Sequence, residues 1–93
     1  MGKFRINLSK GAAQDLKKLY KSGRKADVSK VQKIFVELEE NPREGTGNPE
    51  QLKHYEIPTW SRRINKKDRL VYQIFDEEVV VTVLQALGHY NDR

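Results

Sequence analysis

From Leu52 onward the chain alternates short apolar runs with connectors too short to do anything but reverse its direction. The runs are about Leu52 to Ile57, Trp60 to Ile64, Arg69 to Phe75 and Val79 to Leu84. They are joined by Pro58-Thr59, by Asn65 to Asp68 and by Asp76-Glu77-Glu78. A parallel crossover needs about a dozen residues or more, so these four strands are expected to form an antiparallel meander. Upstream, Phe4, Ile6 and Leu8 alternate with polar residues, the period of a half-buried strand. Ser9 is a candidate N-cap for a helix that places Ala12, Leu16, Leu19 and Tyr20 on one face. Gly11 weakens its first turn, and Ser22-Gly23 reads as its stop. A second helix carries Val28, Val31, Ile34, Phe35 and Leu38 at helical spacing and ends at Asn41-Pro42. The order strand, helix, helix, meander predicts one α+β domain over residues 1–93, both helices packed on one face of a mainly antiparallel twisted sheet.

Charged residues make up 33% of the chain and apolar ones 37%, but the apolar positions are periodic, so a folded domain with a charged surface is expected. The net charge of +5 favours a polyanionic partner, nucleic acid or an acidic protein segment. Lys17, Lys18, Lys21, Arg24, Lys25, Lys30 and Lys33 line the two helices, as a solvated hairpin or as a surface facing phosphates. The absence of cysteine excludes disulfides, thiolate metal sites and a cysteine nucleophile. With only His54 and His89, no dedicated zinc site or other cofactor is expected. No run is apolar enough to cross a membrane and the N-terminus lacks an apolar signal region, so a cytoplasmic protein is expected.

The residues that carry chemistry fall between Asn48 and Tyr72 and again at His89-Tyr90. Glu50 stands where the turn-rich loop Arg43 to Pro49 enters a strand. Lys53, Arg62, Arg63 and Arg69 supply cations, and taken singly each of these residues is an ordinary surface charge. His89 is a candidate general acid, since a histidine with pKa near 6.5 is about one-quarter charged at neutral pH. Tyr90 suits stacking on a base or binding a phosphate, or packing against the sheet. Trp60 reads as core or rim packing, and His54 carries no assigned role. Strand parity assigns Leu70, Tyr72 and Ile74 to the helices, and Arg69, Val71, Gln73 and Phe75 to the open face. If Asn65 to Asp68 is a simple even loop, Ile64 pairs with Arg69 and Arg62 shares the open face; a bulge would bring Arg63 there instead.

Five blocks read in order give these residues a context: Gly45-Thr46-Gly47-Asn48-Pro49-Glu50, Leu52-Lys53-His54, Trp60-Ser61-Arg62-Arg63-Ile64, Arg69-Leu70-Val71-Tyr72 and His89-Tyr90. Together they resemble the YoeB/Txe toxins of the RelE superfamily, bacterial ribosome-dependent mRNA interferases. The resemblance implies a RelE-like sheet, with the catalytic glutamate on Glu50 and the phosphate-binding arginine on Arg69. It places the family's histidine and terminal tyrosine on His89 and Tyr90, with Lys53, Arg62 and Arg63 as candidate substrate-binding cations. It further implies attack of a 2′-hydroxyl on the adjacent phosphate without metal, leaving a 2′,3′-cyclic phosphate and a 5′-hydroxyl. The implied partners are mRNA on the ribosome, ribosomal RNA, an acidic antitoxin of the YefM/Phd type and, in many members, a second toxin copy. One departure is visible: several members end at the tyrosine, whereas here Asn91-Asp92-Arg93 follow. The competing reading is a non-catalytic basic module that binds RNA or the ribosomal surface and blocks translation sterically.

Overall fold

The structure, a computed structural model, describes residues 3–88. His89 and Tyr90 therefore lie outside the described residues. Seven elements follow in order: β1 (Arg5–Leu8), α1 (Lys10–Lys21), α2 (Lys25–Glu40), β2 (Glu50–Gln51), β3 (Thr59–Arg63), β4 (Arg69–Phe75) and β5 (Val80–Gln85). They build one mixed sheet in the order β1-β5-β4-β3-β2, antiparallel throughout except where β1 runs parallel to β5. The two helices cover one face, as the α+β reading requires.

Local chemistry sets the helix boundaries. Ser9 Oγ accepts from Ala12 N–H at 3.1 Å, capping α1, and donates to Leu84 O at 3.1 Å, tying the cap to β5. Lys18 and Lys21 occupy the last turn, where the helix dipole favours cations. Gly23 takes φ +80°, the left-handed geometry that lets the chain leave α1 and turn into α2. Asn41 closes α2 in an extended conformation ahead of Pro42.

The core lies between helices and sheet: Ala12, Leu16 and Leu19 of α1, Val31, Ile34 and Leu38 of α2, and Leu70, Tyr72, Ile74, Val81 and Val83 of the sheet. Leu70, Tyr72 and Ile74 thus meet the helices as strand parity predicts. Leu8 and Tyr20, expected on buried faces, are 44% and 51% exposed. Leu8 ends an edge strand, and Tyr20 sits beside the apolar stripe of α1, whose buried members are Ala12, Leu16 and Leu19.

Two strand expectations are corrected. The run Leu52 to Ile57 is not a strand; β2 comprises Glu50 and Gln51 alone. Leu52 N–H donates to Thr59 O at 2.8 Å, after which the chain leaves the edge, and His54 adopts φ +71°. Since β3 begins at Thr59, residues 53–57 have no facing strand to pair with, and all five are exposed. The β3–β4 register also differs: Arg63 stands opposite Arg69 and Arg62 opposite Leu70. The five residues Ile64 to Asp68 form the connection, closed by Ile64 N–H and Asn65 N–H donating to Asp68 O at 3.0 and 3.3 Å.

Asp68 holds this turn and the end of the described chain together. Its Oδ2 accepts from Asn65 Nδ2 at 2.9 Å and Arg24 Nη1 at 3.3 Å, while Oδ1 accepts from Gly88 N–H at 2.8 Å. Burial opposes its charge, but the bonds from Gly88, Asn65 and Arg24 prevail and hold its pKa below the ordinary 3.8. A depressed carboxylate pKa contributes stability that is fully present above the unfolded value and is lost as pH falls through the folded one. Thermal melts of the wild type should therefore drop between pH 6 and pH 3. Asp68→Asn should melt lower at pH 6 and lose less over the same interval. An unchanged pH dependence in the variant would remove Asp68 as a source of acid sensitivity.

Candidate active site

On the open face, β2 and β4 flank β3 and bring Glu50, Ser61 and Arg69 together. Glu50 stands opposite Ser61, and Ser61 opposite Val71. Arg69 Nη1 lies 3.4 Å from Ser61 Oγ and 4.0 Å from Glu50 Oε1. The carboxylate is 68% exposed and the guanidinium side chain 32%, so both are open to solvent. Arg63, directly across from Arg69, puts a second cation on this face. Like charges on directly opposed residues repel, and here Glu50 balances them only at long range. Such a surface gains from an anion. Lys53 lies on the exposed loop after β2, so alternation along a strand does not set its direction or that of His54.

Arg62 has a different place from the one expected. Its parity is that of Trp60 and Ile64, toward the helices, and its side chain is fully buried. Nε donates to Tyr72 Oη at 3.1 Å. Nη1 donates to Glu37 Oε1 at 2.7 Å and Thr46 O at 3.3 Å, and Nη2 to Pro42 O at 3.2 Å and Glu44 O at 2.7 Å. A guanidinium has five N–H donors, and each has an acceptor here. The expectation that Arg62 meets substrate is therefore corrected: no donor is left to reach a ligand, and the sheet separates it from the open face.

Glu37, unnoticed in the sequence, completes this cluster. Its Oε1 accepts from Thr46 N–H and its Oε2 from Thr46 Oγ1, both at 2.7 Å. Partial burial opposes its ionisation, but the Thr46 bonds and Arg62 outweigh this and lower its pKa below the ordinary 4.5. Burial pushes Tyr72 up, so it stays a phenol and donates to Pro42 O at 2.6 Å. The readable signal for Glu37 was its position three residues after buried Ile34 and one before buried Leu38, a carboxylate bordering the apolar stripe of α2.

The approach to His89 is also built by carboxylates that sequence reasoning did not single out. Asp15 Oδ2 of α1 accepts from Ala86 N–H at 3.1 Å and Leu87 N–H at 3.2 Å. Gly88, the last described residue, accepts from Arg69 N–H at 3.1 Å. The segment leading to His89 is thus fastened to the residue that carries the site's arginine. No sequence periodicity announces such contacts, because Asp15 and Ala86 are remote in the chain and the acceptors serve backbone groups.

The family model for the YoeB-like toxin of bacterial type II toxin–antitoxin systems matches residues 9–90, and the chain belongs to that family. It is 40% identical over 63 residues to Toxin YoeB of Escherichia coli O6:H1, covering 68% of this chain and 73% of that protein. The YoeB of Staphylococcus aureus, solved as a dimer, is 31% identical with a TM-score of 0.78, covering 95% of this chain and 99% of that one. In its heterotetrameric YoeB–YefM complex the values are 32% and 0.75, covering 94% and 98%. The archaeal RelE–RelB complex of Pyrococcus horikoshii OT3, at 19% identity and TM-score 0.72 over 92% of this chain and 94% of that one, shares the fold. The RelE-like architecture expected from the sequence is thus the one observed.

The two adjacent arginines should separate in a stability measurement. Arg62→Met leaves the Glu37 carboxylate and the loop carbonyls without their donor and should cost about 3–5 kcal/mol in chemical denaturation. Arg63→Met, on the exposed face, should stay within about 0.5 kcal/mol of wild type. Equal losses would contradict the register described here.

Proposed function

We propose that this toxin is a ribosome-dependent mRNA endoribonuclease that cuts in the decoding site and so inhibits translation. The observation that carries the reading is Glu50 within 4.0 Å of Arg69 on one open face, with Arg63 across the strand. Glu50 takes the proton from a 2′-hydroxyl. The oxygen attacks the adjacent phosphorus, and the bond to the 5′-oxygen of the next nucleotide breaks. A 2′,3′-cyclic phosphate and a 5′-hydroxyl result. Arg69 stabilises the negative charge gathering on the phosphorane-like transition state. His89 protonates the leaving oxygen, and Tyr90 stacks on a base or holds the phosphate. Lys53 and Arg63 bind the neighbouring phosphates. The 2′-hydroxyl is the nucleophile and arginine the electrophilic partner, so no metal ion enters the scheme.

A shallow face holds a flexible single strand poorly, and correct orientation is worth roughly 7–11 kcal/mol of such a barrier. In this reading the ribosome supplies that orientation, with the basic helices on ribosomal RNA and the sheet on the codon. The toxin acts in the cytoplasm and is held by an acidic antitoxin segment of the YefM/Phd type, with a homodimer as its free form. The family match, the YoeB–YefM complex and the YoeB dimer support these partners. A sterically acting RNA-binding module explains the positive charge equally well. It gains nothing, however, from a carboxylate set among the cations that would hold RNA.

The nucleophile decides between the two. On programmed ribosomes, an mRNA with one 2′-deoxy nucleotide 5′ to the scissile bond should still recruit the toxin but remain uncut there. A nuclease using water would lose only about 1 kcal/mol, the worth of one hydrogen bond. Glu50→Gln on normal mRNA should lower turnover with little change in binding. Near-normal cleavage of the deoxy message, or inhibition that survives loss of Glu50 and His89 together, would reject the mechanism. Cleavage should also persist in EDTA on ribosomes kept intact with polyamines; activity restored only by added Mg²⁺ would bring a metal into it.

A further inference from the structure

Arg62 and Glu37 lie beneath the sheet, away from the open face, yet what they hold is the loop that delivers Glu50. After Pro42 the chain makes no regular structure until β2 begins at Glu50. Three of its carbonyls, those of Pro42, Glu44 and Thr46, accept from Arg62, at 3.2, 2.7 and 3.3 Å. The Thr46 amide and hydroxyl both donate to Glu37. The two glycines are pressed against the same pair. A β-carbon on Gly45 would collide with the Glu37 carboxylate, and one on Gly47 would sit 2.8 Å from Arg63 O and 3.1 Å from Arg62 Cβ. Gly45 and Gly47 also take φ +127° and +88°, backbone geometry that L side chains rarely adopt. Gly47 O then accepts from Arg63 N–H at 2.7 Å, docking the loop on β3 three residues before Glu50.

We propose that Arg62, with Glu37 and Thr46, is a positioning residue for Glu50: it fixes the loop from Pro42 to Gly47 so that the carboxylate meets Arg69. The inference rests on the catalytic reading of Glu50 and deepens it. Every acceptor that Arg62 holds apart from Tyr72 and Glu37 belongs to this loop, which a purely core-filling arginine would not require. Lysine in its place has three donors for five acceptors and no planar fork, so the loop loosens while the charge remains. Thr46→Val removes only the hydroxyl held by Glu37, and Thr46→Ser keeps it.

The experiment measures single-turnover cleavage on programmed ribosomes, KM for those ribosomes and amide hydrogen exchange, using the full chain released from its antitoxin. Arg62→Lys should lower kcat by about 100-fold, as an ångström of misplacement can, with KM unchanged and faster exchange confined to residues 43–50. Combined with Glu50→Gln it should cost nothing beyond Glu50→Gln alone, because both remove the same step. Should Arg62→Lys fail to fold, the Thr46 pair decides. Valine should slow cleavage several-fold with KM unchanged, and serine should restore it. A folded Arg62→Lys with wild-type kcat, or a defect that multiplies with Glu50→Gln, overturns the positioning role. Valine and serine at position 46 both matching wild type would overturn it as well. Full activity of Glu50→Gln alone would instead bring down the catalytic reading itself, so the two failures are distinguishable.

Discussion

A guanidinium sealed inside a domain of 93 residues is the constraint around which the rest is arranged. Removing such an ion from water costs several kcal/mol, and attraction to a carboxylate offsets that only when the remaining donors are also satisfied. Here the second condition is met by three peptide carbonyls and the Tyr72 hydroxyl. An irregular loop has carbonyls that no strand or helix satisfies, and buried ones left alone cost about 1–3 kcal/mol each. Arginine and loop therefore solve each other's problem. Glu37 adds the opposite charge from α2, so one cluster joins helix, loop and sheet.

The same division of labour recurs at the C-terminal side. Asp15 and Asp68 spend their acceptors on the amides of Ala86, Leu87 and Gly88, just past the end of β5. Buried or half-buried carboxylates thus fasten backbone, while Glu50, one of several exposed carboxylates, has Arg69 at 4.0 Å. That contrast is what separates a structural acid from one available for proton transfer. Among the described residues, the ion pair given for Glu50 is the long one to Arg69, at 4.0 Å.

Much of the fold was legible because period and connector length leave few choices. Helices with Val31, Ile34 and Leu38 on one stripe, and apolar runs joined by connectors of two to four residues, admit little besides an α+β meander. The errors have physical causes. Leu52 to Ile57 has strand-like composition, but a strand needs a neighbour, and β3 starts too late to supply one. The candidate site was readable only as motifs, and counting residues in the turn left Arg62 and Arg63 unseparated. The alternation along β3 and the residue after it held the answer: Trp60, Arg62 and Ile64 share a parity, and two of the three are apolar. An arginine flanked on its own face by a tryptophan and an isoleucine points inward, whatever the turn length suggests. Glu37 and Asp15 were invisible for another reason: Asp15 serves peptide groups 71 and 72 residues away, and Glu37 pairs with an irregular loop and a strand arginine that no periodicity links to it.

Register gives the arrangement its sharpness. Side chains alternate across a strand with period two, so a slip of one residue in the β3–β4 pairing would exchange Arg62 and Arg63 between faces. The slip would bury Arg63 among groups spaced for its neighbour and expose Arg62 with the loop unheld. What prevents it is the Ile64–Asp68 turn, in which Asn65 Oδ1 accepts from Lys67 and Asp68 amides at 2.7 and 2.8 Å. Asp68, the last residue of that turn, also grips Gly88. One carboxylate therefore sets both the strand register that brings Arg69 opposite Arg63 and the height at which the chain passes Arg69 toward His89. The site on the open face is assembled by contacts made almost wholly behind it or at its edge.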